Sequence, residues 1–189
     1  MSTTVLILII GAVFLIVLVW LVLTYNGLVR LRNEAQQGES SIDIQLKRRA
    51  DLIPNLVEAV KGYAAHEQEA FERVTAARAH ALEARSLGDK AAADGETRSA
   101  LGGLLAVAEA YPQLRAVESF TQLQAELSDT EDKIAAARRY YNNVVQRYNT
   151  KQQSFPASAI AGTFGFLPRE FYRIEDDAQR DPVKVEIGG

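Results

Sequence analysis

The sequence predicts an all-α protein, in which one N-terminal transmembrane helix precedes an antiparallel bundle of long helices and an irregular, aromatic-rich tail. Val5 to Leu23 carries no polar side chain. Residues 28–153 contain little Gly or Pro and are rich in Ala, Glu, Arg, Leu and Gln, which favour helices. We therefore expect four segments: a short external N-terminus (1–4), a transmembrane helix (5–24), a cytoplasmic bundle (25–153) and a tail (154–189).

Composition excludes several classes of protein. The 189 residues suffice for one ordinary domain. The absence of Cys excludes disulfides, iron–sulfur centres, thiolate zinc sites and a Cys nucleophile. A net charge of −3 provides no basic field for nucleic acid.

The apolar segment, residues 5–23, is long enough to cross a bilayer. Its 19 residues form a helix of roughly 29 Å at about 1.5 Å per residue. A cleaved signal peptide is the alternative, and it has a basic leader and a small-residue cleavage site. The leader here has no Lys or Arg, and no A-x-A site follows Leu23. The sequence therefore favours a retained anchor.

The flanking charges predict the orientation of the anchor. No basic residue precedes the apolar segment, whereas Arg30 and Arg32 follow it. The positive-inside rule then places residues 25–189 in the cytoplasm. Trp20 and Tyr25 are expected at the membrane interface together with these two arginines.

The first bundle helix is predicted from about Leu28 to Arg85, because its apolar residues recur at steps of three, four and seven. Pro54 predicts a kink or break near residues 50–53. Residues 86–95 are predicted to form a loop.

A second helix is expected from about Glu96 to Leu127, with a kink or restart at Pro112. Ser128 to Glu131 fits a capping box, so a further helix is predicted from there to about Gln153. Short connections between such helices favour an antiparallel bundle of three or four, packed as in a coiled coil.

The tail combines aromatic residues with Pro and Gly. It is too apolar for a solvated linker, so it is expected either to pack on its own bundle or to dock on a neighbouring molecule. The candidate docking residues are Phe155, Phe164, Phe166, Phe171 and Tyr172. Residues 176–189 are expected to be loose, with a short strand conceivable at 183–187.

No catalytic motif is complete. His66-Glu67 begins the zinc-protease pattern H-E-x-x-H, but Ala70 replaces the second histidine. No E-x-x-H pair, phosphate-binding loop or G-x-S-x-G elbow occurs. We therefore expect no enzymatic activity, metal, cofactor or small-molecule substrate.

A charged stretch between residues 43 and 58 is a candidate interaction surface. One hypothesis is a solvated helix face with i,i+4 ion pairs, Asp43 with Lys47 and Lys47 with Asp51. Anionic lipid is disfavoured, because Lys47 lies roughly 36 Å along a straight helix from Leu23 and screening acts beyond about 8–10 Å. A third hypothesis is a contact with a partner or another copy. The surface comprises Asp43, Lys47, Arg48, Arg49, Asp51, Asn55 and Glu58.

Two Tyr-Asn pairs lie seven residues apart, on one helix face. They are Tyr141-Asn142 and Tyr148-Asn149. Tyr side chains at this spacing pack a helix–helix seam and still form hydrogen bonds at its edge. The pairs are therefore interpreted as core residues or, alternatively, as part of the interaction surface.

Several blocks together resemble the LemA family of bacterial membrane proteins. The resemblance covers about residues 20–172, in family order. It rests on Tyr25-Asn26, the run from Ile42 to Arg49, the run from Asp51 to Glu58, Lys61 to Ala64, His66-Glu67, Tyr111-Pro112, Thr130-Glu131, Arg138, Tyr140 to Asn142, Tyr148-Asn149, Phe155-Pro156 and Gly165-Phe166.

The resemblance implies a helical bundle behind one span of the bacterial inner membrane, and it supplies no reaction. Two functions remain open. The first is a self-assembling or scaffolding protein whose partners are the bilayer and copies of itself. The second is an adaptor or regulator of one membrane protein, such as a protease or sensor.

Overall fold

The computed structural model describes residues 3–173, and it confirms the all-α class. No strand occurs among these residues. The predicted strand at 183–187 and the loose end lie outside them. The helices are α1 Thr3–Lys61, α2 Gln68–Glu83, α3 Leu87–Glu109, α4 Pro112–Arg115, α5 Glu118–Gln153 and α6 Ala157–Thr163.

The chain forms two compact units. Residues 3–41 and 137–171 form one, here called the anchor unit. Residues 42–136, together with 172 and 173, form the other, here called the core unit.

Helix α1 contains the apolar segment and continues through Asn26 and Gly27 without interruption. It is long and apolar enough to cross a membrane, and the most apolar window has no buried residue. Phe14, for example, is 68% exposed.

A kink or break was predicted at Pro54; this residue lies inside α1, so the helix does not break there. Proline has no N–H to donate to the carbonyl of the residue four before it, which is Ala50. Nε of Arg78 donates to that carbonyl oxygen at 2.8 Å. A side chain of α2 thus replaces the missing backbone donor, and the helix continues to Lys61.

The predicted loop at 86–95 is also wrong, because α3 begins at Leu87. Ser86 caps it: its hydroxyl accepts from the N–H of Asp89 at 3.0 Å, and its own N–H donates to the Asp89 carboxylate at 3.3 Å. Hydrogen bonds from the side chain and the backbone of Ser86 to this carboxylate lower the pKa of Asp89. The first predicted helix correspondingly ends early, at Lys61, and α2 begins only at Gln68.

The prediction at Pro112 is confirmed, since this residue is the first of α4. The helix start predicted at Ser128 is wrong, because α5 passes through it from Glu118 to Gln153. Thr130 donates its hydroxyl to the carbonyl of Glu126 at 2.7 Å instead of capping a new helix.

The core unit packs α2 antiparallel to α3. Thr97 of α3 donates to the carbonyl of Ala77 in α2, and His80 lies 3.0 Å from Glu96. An apolar cluster fills this unit; its most buried large members are Ile53, Val60, Val74, Leu104, Leu114 and Phe120. Each such side chain contributes about 1.5–3 kcal/mol by leaving water.

The anchor unit packs α1 antiparallel to α5. A side chain at Gly27 would overlap the Lys151 ammonium, and one at Gly38 would meet Tyr141 at 3.2 Å. Later positions of α1 thus meet earlier positions of α5. Apart from Gly27, the buried positions of α1 in this unit follow alternating steps of four and three, as at a and d of a heptad; they are Thr24, Leu28, Leu31, Ala35 and Gly38.

Helix α6 ends in a Schellman motif. Gly165 has φ of +69°, and the N–H of Phe166 donates to the carbonyl of Ala161 at 2.9 Å. Gly adopts this left-handed conformation without a Cβ clash. The turn brings Phe166 into contact with the buried cluster that contains Leu28, Leu31 and Tyr148.

Candidate functional site

The core unit contains a buried ionic cluster centred on Arg49. This side chain is 1% exposed, and its Nη1 lies 2.8 Å from Asp94 Oδ1 and 2.8 Å from Glu131 Oε1. Asp94 is fully buried. Helices α1, α3 and α5 each supply one member, so the cluster fixes three helices relative to one another.

Further groups surround this centre. Arg98 lies 3.9 Å from both Asp94 and Glu131. The Tyr172 hydroxyl lies 3.1 Å from Asp94 Oδ2 and 3.2 Å from the carbonyl oxygen of Lys90. Nζ of Lys90 in turn lies 2.7 Å from the Asp43 carboxylate.

The formal charges of the cluster balance. Arg49, Arg98 and Lys90 supply three positive charges, and three carboxylates, those of Asp43, Asp94 and Glu131, supply three negative ones. Buried charges are tolerated when paired in this way. Each carboxylate is engaged by a cation, which favours a structural role over proton transfer.

The predicted charged surface on α1 is distributed among different environments. Asp43 pairs with Lys90 rather than with the predicted Lys47. Lys47 pairs with Asp51 at 3.2 Å, as the helical spacing predicted. Arg48 lies 3.9 Å from Asp129 of α5. Asn55 and Glu58 are exposed, whereas Arg49 is buried.

Four members of the cluster were not among the predicted site residues: Lys90, Asp94, Arg98 and Glu131. Lys90 and Asp94 lie in the predicted loop at 86–95, and Glu131 lies in the predicted helix cap. A usable signal was present, because Lys90, Asp94 and Arg98 are spaced by four and alternate in sign. That spacing is typical of a helical charged face.

The Tyr-Asn pairs of α5 hold the tail of the anchor unit. Tyr141 donates its hydroxyl to the carbonyl of Glu170 at 2.9 Å, and Tyr148 donates to that of Leu167 at 3.0 Å. Burial is the main cause that raises the pKa of both hydroxyls, which therefore remain protonated donors at neutral pH.

Asn149 bonds the tail twice. Its Nδ2 donates to the carbonyl of Arg169 at 2.8 Å, and its Oδ1 accepts from the Arg169 N–H at 2.9 Å. A single side chain therefore satisfies both backbone groups of one extended residue, as a neighbouring β-strand would. Asn142, of the other Tyr-Asn pair, is half-buried.

The five predicted docking residues of the tail differ in exposure. Phe166 and Tyr172 are 2% exposed, Phe171 is half-buried, and Phe155 and Phe164 are 89% and 51% exposed.

The predicted interface residues of α1 lie beside part of this tail, in the anchor unit. The Tyr25 ring makes edge contacts with the rings of Phe164 and Phe166, at centroid distances of 5.2 and 5.6 Å. The Arg32 guanidinium lies 5.4 Å over the Phe166 ring. Arg30 lies 3.9 Å from Glu34, and Trp20 is half-buried.

Within residues 3–173, no three His, Cys, Asp or Glu side chains are grouped as metal ligands would be. The described residues thus offer ion pairs and hydrogen-bonded tyrosines as their organised polar features.

Comparisons with known proteins identify relatives of this chain. Magnetosome protein MamQ 2 of Paramagnetospirillum magneticum is 29% identical over 189 aligned residues, which cover 86% of this chain and 69% of the relative. Magnetosome protein MamQ of Magnetospirillum gryphiswaldense is 28% identical with the same coverage. Protein LemA of Metamycoplasma hominis is 29% identical over 140 residues, which cover 72% of this chain and 63% of the relative.

The LemA family model matches residues 38–187. The matched region includes the charged run that starts at Asp43, the buried Arg49 and both Tyr-Asn pairs, which are the features that carried the resemblance in the sequence. The match extends over more than half of the chain, and the chain belongs to the LemA family.

Proposed function

We propose that this LemA-family chain is a non-enzymatic, membrane-anchored bundle that self-assembles or scaffolds other proteins at the inner face of the bacterial membrane. The observation that carries the proposal is the continuity of α1 from the exposed apolar segment into the buried residues Leu28 and Leu31. No flexible linker separates the two, so the anchor and the packed helix form one element.

Exposure of the apolar segment supports membrane insertion. Ile7, Leu8 and Phe14 are 65%, 72% and 68% exposed, and their neighbours along residues 5–23 are similar. A continuous apolar surface of this kind is unfavourable in water and marks a contact with membrane or protein. The apolar length of roughly 29 Å matches a hydrocarbon core of about 30 Å.

The basic residues after the segment support a cytoplasmic bundle. Replacing Thr3 and Thr4 with Lys should weaken or invert the orientation, because Lys and Arg flanking a span favour the cytoplasmic side. Single cysteines introduced at Ser2 and Leu82 report the sidedness of each end through labelling of intact cells. Unchanged labelling in the Lys variant would contradict the charge argument.

A scaffolding role fits the chemistry of the interior. The buried Arg49 and Asp94 are paired with each other, and the buried tyrosines bond to the backbone. The ion pair joins two helices, and the tyrosines join α5 to the tail, which are structural roles. Confinement to one membrane raises the effective concentration, so that weak lateral contacts suffice for assembly. Ile44, 61% exposed on α1, offers an apolar contact for it.

Crosslinking in native membranes, followed by mass spectrometry of every product, tests the proposal. Self-assembly predicts a ladder of products made only of this chain. Ile44→Asp should shorten the ladder, whereas Ile44→Leu, the matched control, should preserve it. A chain that stays monomeric at native abundance and captures no other protein would overturn the proposal.

A groove in the core unit favours a second candidate function, an adaptor for one partner protein. It measures about 390 Å³ between α1, α2 and the start of α3. Its walls combine Leu46 and Leu82 with four charged residues, Asp43, Lys47, Arg85 and Lys90. Three of these charges are positive, which suits an acidic amphipathic segment. One dominant crosslinked partner at fixed stoichiometry, lost in Leu82→Asp, would support this function over self-assembly.

A further inference from the structure

The segment that begins at the end of α5 carries no charge. Residues 152–168 form a run of 17 uncharged residues, although charged residues make up 24% of the chain. The run contains α6 and is bounded by Lys151 and Arg169. Several of its apolar side chains are exposed: Phe155 by 89%, Leu167 by 75% and Phe164 by 51%.

The antiparallel packing within the anchor unit places this segment at the end of the apolar segment of α1. Lys151 of α5 contacts Gly27 of α1. Because α5 runs toward the N-terminus of α1 and ends at Gln153, two residues past Lys151, the chain leaves α5 about one turn before Gly27 of α1, close to the end of the apolar segment. On the other side of α6, the Phe164 ring contacts Tyr25 at a centroid distance of 5.2 Å.

The thickness of a bilayer indicates which part of the membrane surrounds the rings of Tyr25 and Phe164. The hydrocarbon core is about 30 Å thick, and the headgroup region adds roughly 5–8 Å on each side. Tyr25 lies two residues past Leu23, or roughly 3 Å along the helix. Tyr25 and the rings beside it therefore lie within the headgroup region when the apolar segment fills the core.

Basic side chains of the anchor unit begin near this level, at Lys151, and continue for roughly two turns farther from the apolar segment. Arg30, Arg147 and Lys151 line one groove between α1 and α5, where no carboxylate is among the lining residues. The side chains of Arg30 and Arg147 are 73% and 65% exposed, and Glu34 lies 3.9 Å from each. The net charge at this level is positive, which complements the phosphates of anionic lipids.

We propose that residues 152–168 form a second membrane contact, which lies in the headgroup region with Phe155 and Phe164 at the acyl-chain boundary. The inference rests on the proposed membrane anchoring of α1. Aromatic rings favour this zone, and basic residues beside it bind lipid headgroups. Two separate contacts in one packed unit fix the tilt and rotation of α1, which one helix alone leaves free.

Depth-dependent quenching by brominated lipids tests the contact in the full-length chain. The chain has a single Trp, Trp20, and it reports the anchor itself. In a Trp20→Phe background, Phe155→Trp and Phe164→Trp report the segment. Tyr140→Trp is the matched control, because Tyr140 is 47% exposed in the same unit but lies near Gly38, away from the apolar segment.

In vesicles that contain phosphatidylglycerol, we expect Trp at 155 and 164 to emit at shorter wavelength and to lose intensity when the lipid is brominated high on the acyl chain. Trp at 140 should keep its intensity. Lys151→Gln combined with Arg147→Gln should reduce the quenching at 155 in anionic vesicles and leave it unchanged in neutral ones.

The outcomes distinguish failure of the second membrane contact from failure of the α1 anchor. Quenching at Trp20 without quenching at 155 or 164 would overturn the second contact and leave the anchor intact. Absence of quenching at Trp20 would overturn the anchor first. Protection of position 155 from both lipid and aqueous quenchers, relieved by dilution in lipid, would assign the segment to a second copy and overturn the lipid contact.

A second reporter keeps the test valid if a Trp variant fails to fold. Ala159 is exposed on α6, and the chain has no native Cys. An environment-sensitive dye on Ala159→Cys should shift to the blue on reconstitution. A dye that remains in an aqueous environment there would contradict the proposal.

Discussion

The two units use different polar chemistry to hold their helices. In the core unit, Arg49 is buried between Asp94 and Glu131, so that charged groups neutralise one another. In the anchor unit, Tyr148 and Asn149 are neutral and bond to backbone groups of the tail. The first arrangement joins helix to helix, whereas the second joins a helix to an extended chain.

This difference shows which structural task suits ion pairs and which suits neutral amides and hydroxyls. Ion pairs between side chains fix the register of helices whose own backbone groups are already bonded internally. An extended segment has free N–H and C=O groups, which must be satisfied when it is buried. Side-chain amides and hydroxyls suit that task, because they bond to the backbone without burying a net charge.

The largest expected effect is in the core unit. Arg49→Met leaves the fully buried Asp94 without its 2.8 Å partner. Breaking a buried pair in this way costs about 3–5 kcal/mol. Hydrogen exchange of α2 and α3 amides measures the loss as a lower free energy of opening. The exposed Lys47, one turn away from Asp51, is the control, and Lys47→Met should change stability by less than about 1 kcal/mol.

A paired substitution checks the cause. Arg49→Met with Asp94→Leu removes both charges, and it should recover much of the stability because no unpaired charge remains buried. A double variant as unstable as Arg49→Met alone would show that packing of the guanidinium, and not charge pairing, carries the effect.

The next largest loss of stability is expected from Arg78, whose side chain replaces the backbone N–H that Pro54 lacks. Arg78→Met leaves the carbonyl of the buried Ala50 without its bond, which costs about 1–3 kcal/mol. In Pro54→Ala the backbone supplies an N–H at that position, so the same Arg78→Met should cost much less. Denaturant unfolding of the four variants gives the coupling. Equal losses in both backgrounds would reject the compensation.

Asn149→Ala tests the anchor unit. It removes two hydrogen bonds to the backbone of Arg169, and we expect the tail to open more readily by about 1–3 kcal/mol. Faster exchange of the Arg169 amide measures this opening. Asn143→Ala, an exposed neighbour on α5, should leave the amide unchanged. Similar exchange in both variants would mean that Asn149 does not hold the tail.

The last prediction compares one glycine-to-alanine substitution in each unit. The change in stability should have opposite signs in the two units. A Cβ on Gly38 would lie 3.2 Å from Cα of Tyr141, whereas one on Gly102 meets nothing within 4 Å. Gly102→Ala should stabilise the core unit by about 1 kcal/mol through helix propensity. Gly38→Ala should destabilise the anchor unit by about 1–3 kcal/mol, because α1 and α5 must separate. Stabilisation by both, measured by hydrogen exchange, would show that α5 is free to shift.

Residue type and spacing predicted the structure correctly where it depends on a single segment of the chain. The apolar segment, the helical class and the restart at Pro112 follow from residue type and spacing, and each is present. The seven-residue spacing of Tyr141 and Tyr148 placed both on one face, where both hydroxyls reach the same stretch of tail.

Residue type and spacing gave the wrong helix boundaries where a residue of another helix stabilises the local structure. Pro54 predicts a kink or break, but the helix does not break, because Arg78 of α2 satisfies the freed carbonyl. Residues 86–95 were predicted to form a loop, but the Ser86 cap and the burial of Asp94 against Arg49 stabilise α3 there. Ser128 resembled a cap, but Glu131 pairs with Arg49 in the middle of α5.

The sequence by itself determined the all-α class, the apolar helix and the faces on which tyrosines and charges lie, because side-chain spacing sets the face of a helix. Only the tertiary structure decided which charges are buried, where helices continue through Pro and Gly, and which part of the tail is held. Those outcomes depend on the partner that each group meets, and the energy of a buried charge or an unbonded carbonyl is large enough to override local propensity.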